Sequence, residues 1–355
     1  MEMTKMMIER GRRILRSPAT LSRAALKGVP QVMPGVMICI TIALATTFIA
    51  DYYGGPTLLY ALLFGMALHF LSEEGRCVAG IEFTARVILR VGVALLGVRI
   101  TLEQVVSLGG GPIVMAMVGV VLTILMGALL ARLLGLHRDL GLLTGGAVAI
   151  CGASAALALS AVMPREANSE RNTILTVVGV TTLSTAAMVL YPLIVGVLGL
   201  TDQQAGVFLG ATIHDVAQVV GAGYMISEGA GDVATFVKLM RVAMLVPVVM
   251  CFMFLFRQAQ ASERKGGLPR LPGFLVAFVM LVILNSMGAI PESLADGMTD
   301  LSRWCLVTAI AALGIKTSFQ KLAVVGWRPV ILMVAETVFL LVLVLAFILA
   351  GGVSL

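Results

Sequence analysis

Two stretches of this chain set polar residues and glycines inside otherwise apolar sequence: GGAVAICGASAALALSAVMP (Gly145–Pro164) and GATIHDVAQVVGAGY (Gly210–Tyr224). The first carries Thr144, Gly145 and Gly146 at its entry and Cys151, Gly152, Ala153 and Ser154 at its centre. Glycine lets backbone amides approach a ligand, and a helix restarting after Gly152 would aim its positive end at that point. Free amides with the Ser154 hydroxyl suit an oxyanion. Close helix packing through Gly146, Gly152, Ala153 and Ala156 is the competing explanation. In the second stretch Thr212, His214, Asp215 and Gln218 fall within two turns, and His214, Gln218 and Gly221 share one helical face. Histidine titrates near neutrality, so His214 beside Asp215 reads as a proton relay, or as a neutral donor whose tautomer Asp215 fixes. A structural His–Asp bond tying helices together is the plain alternative.

The elements that must position these residues are membrane helices. The 355 residues are 59% hydrophobic and 12% charged, with mean hydropathy +1.03. A soluble domain carries about 25% charged residues, so the deficit marks an integral membrane protein. Apolar runs of near-spanning length fall at 34–50, 56–71, 79–99, 112–134, 172–198, 234–256, 271–288, 300–315 and 328–350. With the interrupted segments 141–163 and 204–225 they make about eleven membrane elements in an all-α fold. Residues 1–30 form a basic amphipathic segment without the apolar core and cleavage site of a signal peptide. It is expected to lie on anionic lipid, cytoplasmic, before one polytopic domain over 31–355. The pI of 9.3 reflects such topogenic charges and implies no nucleic acid.

Positive-inside bias places His137–Arg138, the loop Arg257–Arg270 and Lys316, Lys321 and Arg328 in the cytoplasm, with Asp51–Gly55 and Ile290–Thr299 outside. Arg165 and Arg171 after the first interrupted segment favour a re-entrant hairpin from the cytoplasm. The acidic loop Ser227–Asp232 favours a second hairpin from outside. A pair of broken crossing helices is the other topology open to this sequence.

An internal repeat runs through the flanking helices. LLGVRITLEQVVSLGGGP (Leu95–Pro112) aligns with ALGIKTSFQKLAVVGWRP (Ala312–Pro329) at an offset of 217, matching Gly97 with Gly314, Gly109 with Gly326 and Pro112 with Pro329. Arg99 faces Lys316, Thr101 faces Ser318, Glu103 faces Gln320, and upstream Arg86 faces Arg303. One copy leaves the cytoplasm and the other returns, so the repeat is inverted. Inverted repeats belong to secondary carriers that alternate access around a midplane site.

Charges at bilayer depth are Glu82, Arg86, Arg90, Asp215, Lys238, Arg241 and Glu336. At about 3 kcal/mol each on insertion scales they cost on the order of 20 kcal/mol, so most must be paired or wet. Glu82 and Arg86 can pair within their helix, while Lys238 and Arg241, toward the outer end of 234–256, can snorkel. Four basic against three acidic residues leave a positive surplus beside amide-rich breaks, which favours an anionic solute. Cys39, Cys77, Cys151, Cys251 and Cys305, with the scattered His69, His137 and His214, show no metal spacing, and no metal or organic cofactor is expected.

With these residues in view, the chain resembles the YeiH-like family of sulfate exporters. The resemblance rests on LTGGAVAICGASAA (Leu143–Ala156), GATIHDVAQVVGAG (Gly210–Gly223), TFVKLMRVAMLVP (Thr235–Pro247) and AALGIKTSFQKL (Ala311–Leu322). It implies a bacterial inner-membrane carrier with a scaffold, a moving core that holds the interrupted segments, and often a homodimer. The expected function is export of a small anion, sulfate or sulfite first, by elevator-like alternating access. Thr144, Gly145, Gly146, Cys151–Ser154, Thr212, His214 and Gln218 would form the site, with Arg86 or Arg90 balancing charge. His214 and Asp215 would couple to H⁺ or Na⁺ or orient the ligand. A cation/proton antiporter on the same scaffold, with Asp215 as ion ligand, and a passive anion channel are the rival readings. A membrane enzyme built on Cys151 and His214 lacks any soluble substrate-binding region.

Overall fold

The computed structural model describes residues 18–107, 109–164, 168–256, 272–317 and 327–352. The basic segment up to position 17, Arg165, the loop Arg257–Arg270 and Lys321, together with Ser318, Gln320 and Gly326 of the repeat, lie outside the described residues.

The apolar runs form helices, in chain order α1 (Pro18–Tyr53), α2 (Thr57–Ala67), α3 (Val78–Phe83), α4 (Leu89–Leu95), α5 (Leu102–Ser107), α6 (Gly111–Leu133), α7 (Arg138–Ala149), α8 (Ala153–Ser160), α9 (Ser169–Leu198), α10 (Asp202–Thr212), α11 (Val216–Ile226), α12 (Glu228–Ala243), α13 (Leu245–Leu255), α14 (Gly273–Ser286), α15 (Glu292–Lys316) and α16 (Trp327–Phe347). Among the described residues six helical spans are long and apolar enough to cross a membrane: Gln31–Tyr53, Gly111–Leu133, Ser169–Leu198, Glu228–Leu255, Glu292–Lys316 and Trp327–Gly352. Nine were expected. The other three runs give shorter helices: α2, α14, and a run over 78–98 divided by a π-helical turn at Thr84–Ile88. This is an all-α, multi-pass membrane protein. Large apolar side chains such as Val114, Val121, Leu125 and Leu129 stand exposed along α6, as lipid contact requires.

Helix contacts divide the chain into two packed groups. One comprises α1–α5 with α14 and α15; the other comprises α6–α13 with α16. The principal helix packing between them is α11, which lies against α2 and α15. The repeat partners meet within the groups. The 78–98 run lies along α15, and α6 lies along α16. The contacts also cross over. Gly314 meets α2, where a Cβ on Gly314 or Gly65 would come within about 3 Å of the other's Cα, and Gly97 meets α14 through the Phe278 carbonyl and Leu281. Helix α14 lies 217 positions after α2, so each copy packs its glycine on the other copy's preceding helix.

Candidate functional site

The first interrupted segment is a helical hairpin. Helix α7 starts with the His137 ring accepting from the Asp139 amide (3.4 Å). It ends where Ile150 leaves helical geometry, and Gly152 turns the chain at φ +63°, ψ −124°. The chain then doubles back. Leu159 of α8 fills the space beside Gly146, and Ser160, Met163 and Pro164 line one small cavity with Asp139, Leu140 and Leu143.

The second interrupted segment repeats the shape. A capping box between Thr201 and Gln204 starts α10. The chain turns at Ile213-His214-Asp215, and Asp215 caps α11 by accepting from the Ala217 amide (3.0 Å) while its own amide donates to Ser184 (3.0 Å). Gly206 on α10 and Gly223 on α11 both face the Ala230 carbonyl of α12, so the two halves lie side by side. Broken crossing helices would carry these pairs tens of ångströms apart at 1.5 Å per residue. The segments are hairpins.

Two cations hold the tips together. The Lys238 ammonium donates to the carbonyls of Ile150 (2.8 Å) and Ile213 (2.9 Å), one from each tip. The Arg241 guanidinium donates from Nε to Ala149 (2.9 Å), from Nη1 to Gly210 (3.1 Å) and Ile213 (3.4 Å), and from Nη2 to Val148 (3.1 Å) and again to Ala149. Both side chains are buried, at 0% and 1% exposure. A helix leaves its last carbonyls unpaired and carries partial negative charge there. Lys238 and Arg241 answer both needs for α7 and α10 at once.

The snorkelling reading of these two residues is therefore wrong. The run 234–256 placed them near a helix end, but Ser227 accepts from the Ala230 amide (3.0 Å) and starts α12 at Glu228. The span Glu228–Leu255 then puts Lys238 and Arg241 at its middle. Spacing alone shows two cations one turn apart in TFVKLMRVAMLVP; it cannot show that their acceptors lie 25 to 93 residues away.

With both negative helix ends covered, the positive start of α8 is left at the tips, while Asp215 caps that of α11. Ser154 is exposed there, Ala153, Asp215 and Val216 partly so, and α8 has no side-chain cap. Cys151 and Gly152 are buried just behind, and a Cβ on Gly152 would lie 3.7 Å from His214. The expected residues Cys151–Ser154, His214 and Asp215 thus come together.

Others do not face this space. Thr144 donates to the Leu140 carbonyl (3.0 Å) and to Glu336 (2.7 Å); Gly145 packs on Thr123 and Ile124 of α6, and Gly146 on Leu159. Thr212 bonds the Phe208 carbonyl (2.6 Å). Gly146 closes its hairpin from within, Thr144 and Gly145 seat that hairpin on α16 and α6, and the Thr212 hydroxyl is spent inside α10. Gln218 is buried and donates to Thr185 (3.4 Å). The expected His214–Asp215 bond does not form, because the His214 Nε2 meets Thr337 at 3.0 Å while Asp215 serves the α11 cap. Arg86 and Arg90 stand exposed in the other helix group. Arg86 pairs with Glu82 (2.7 Å), and Glu82 reaches Lys316 (3.9 Å), so the charge of Arg86 is spent within the other helix group. The adjacent residues Glu336 and Thr337 brace one hairpin each from α16, which sequence spacing gave no means to foresee.

A family model described as "conserved hypothetical protein 698" matches residues 34–333, a stretch that contains both hairpins and α12. The chain belongs to that family. Its similar relatives carry the UPF0324 name. They include UPF0324 membrane protein CT0845 of Chlorobaculum tepidum, 55% identical over 316 residues, 88% of each chain. UPF0324 membrane protein TauZ of Paracoccus denitrificans is 52% identical over 314 residues, 88% of this chain and 93% of the relative. UPF0324 membrane protein RB0971 of Rhizobium meliloti is 51% identical over 316 residues, 88% and 91% of the two chains. No solved structure matches. All three relatives are named as membrane proteins, in agreement with the multi-pass fold of this UPF0324 chain.

Proposed function

We propose that the protein is a secondary transporter of a small anion, sulfate, sulfite or a related sulfur oxyanion, working by elevator-like alternating access in the bacterial inner membrane. The observation that carries this reading is the pair of hairpins meeting tip to tip. Lys238 and Arg241 cap their inner carbonyls, and the uncapped start of α8 lies beside exposed Ser154. Charge favours an anion. Lys238 and Arg241 outnumber Asp215 at the tips, and the Asp215 carboxylate already accepts from the Ala217 amide.

The two packed helix groups supply the moving parts. Helices α1–α5 with α14 and α15 form the scaffold, and the hairpins with α6, α9, α12, α13 and α16 form the core. The crossed contacts of Gly97 and Gly314 support the inverted repeat. The expected topology keeps the N-terminus in the cytoplasm, opens the first hairpin from that side and the second from outside, and pairs two scaffolds in a homodimer. Coupling to H⁺ or Na⁺ completes the cycle. With hairpin tips as the binding surface, the function is transport rather than catalysis.

Labelling of a single tip thiol tests the site. In a Cys77→Ser, Cys251→Ser, Cys305→Ser background, which leaves only the buried Cys39 and Cys151, Ser154→Cys should react with a water-soluble maleimide, and sulfate or sulfite should slow that reaction by about tenfold near saturation, as occupancy of the site requires. Labelling that ignores every sulfur oxyanion would remove Ser154 from the site.

A further inference from the structure

Glu336 is a buried carboxyl that the hairpin geometry leaves unexplained. It lies at 0% exposure in the middle of α16. One oxygen accepts from Thr144 of the first hairpin (2.7 Å); the other, Oε2, is buried without a partner. Its neighbour Thr337 holds His214 of the second hairpin (3.0 Å). A Cβ on Gly127 of α6 would strike the carboxyl, so the group is enclosed on that side too.

The helices packed on α16 are α6, α7, α9 and α10. Their charged residues are Arg132; Arg138 and Asp139; Glu170 and Arg171; and Asp202, all in terminal turns. Among the described residues none of them pairs with Glu336, whose Oε2 has no partner. Among the described residues His214 is the titratable group alongside, through Thr337. An ionised carboxylate sealed in an apolar interior without a cation is too costly to persist, and such a group holds a proton instead.

We propose that Glu336 is a proton-binding site and that its proton travels with the anion. This rests on the carrier reading above. Ionised Glu336 and Asp215 together balance Lys238 and Arg241, leaving no surplus for an anion. When hydronium gives its proton to Glu336 and leaves as water, the core interior gains one net positive charge, which draws in the anion. Proton and anion therefore bind cooperatively, each raising the other's affinity. A divalent anion carrying one proton keeps one net negative charge, so an inside-negative membrane potential still drives it outward.

Labelled-sulfate counterflow across roughly pH 6 to 9, with purified wild-type protein and Glu336→Gln in proteoliposomes, tests this. Glutamine imitates the protonated acid. Wild-type exchange should fall by about tenfold or more across the range, whereas Glu336→Gln should exchange with little change over it. A fall in Glu336→Gln that parallels wild type would overturn the proposal. Infrared spectra supply a readout independent of transport. A protonated-carboxyl band should be present in wild type, be missing from Glu336→Gln, and shift when Thr144→Val removes the hydroxyl. If wild type shows no counterflow, the carrier reading fails and the band still decides the protonation of Glu336. If Glu336→Gln does not fold, a band that is absent from wild type or unmoved by Thr144→Val sinks the proposal.

Discussion

Arg241→Ala separates the hairpin tips and removes transport. The substitution strips hydrogen bonds from the carbonyls of Val148, Ala149 and Gly210, all inside the core, and weakens the hold on Ile213 that Lys238 shares. A buried acceptor left unpaired costs about 1–3 kcal/mol, so three of them cost on the order of 3–9 kcal/mol before any water enters. Some of this is returned, because removing one cation relieves its repulsion with Lys238. Arg241→Lys keeps the charge but not the planar fork that reaches several carbonyls, and should recover only part of the loss. Lys238→Met, close in length, strips the Ile150 carbonyl, weakens the hold on Ile213 that Arg241 shares, and should cost less than Arg241→Ala. Thermal unfolding in detergent, read beside counterflow, checks the series. An Arg241→Ala protein that melts with wild type would show that the cations do not hold the tips.

Gly152→Ala produces the second large effect, and the cause is backbone rather than space. At φ +63°, ψ −124° the residue occupies a region essentially open to glycine alone. The nearest atoms to an added Cβ are 3.7 Å away, on His214 and Val180, which is ordinary contact. The cost is therefore about 1–3 kcal/mol of strain, and the tip can relieve it only by moving the start of α8. Anion affinity should fall by about tenfold or more as the amides beside Ser154 turn away. Gly196→Ala is the control: it lies on α9 with nothing within 4 Å of an added Cβ, and should leave affinity unchanged. Equal affinity in wild type and Gly152→Ala would mean that the α8 start does not contact the anion.

Much of this architecture is legible in the residues. Glycines and polar groups within apolar runs mark both breaks, and Arg165 and Arg171 against the acidic stretch Ser227–Asp232, which folds as the cap and first turn of α12 rather than as a loop, favour hairpins over crossings. The copy-to-copy match of Gly97 with Gly314 anticipates two glycines that each meet the other copy's preceding helix. The limits have a common physical cause. Thr144, Gly145, Gly146 and Thr212 look like site residues because small and hydroxyl-bearing side chains serve binding and helix packing equally well. Lys238 and Arg241 look peripheral because a cation that bonds backbone carbonyls needs no acidic partner to betray it. His214 and Asp215 are adjacent in sequence, yet the turn between α10 and α11 sends one to Thr337 and uses the other as a cap. The π-helical turn at Thr84–Ile88 has no periodic signature at all.

Counterflow in proteoliposomes tests the central claim most directly: purified protein, unlabelled sulfate or sulfite inside, a trace of labelled anion outside, and no ion gradient. The account predicts transient accumulation of label above equilibrium, which requires one site exposed alternately to the two sides. Simple equilibration would contradict alternating access and indicate a channel. No entry of either anion, with folded protein in intact vesicles and also under imposed pH or Na⁺ gradients, would contradict sulfur-oxyanion transport and favour a cation/proton antiporter.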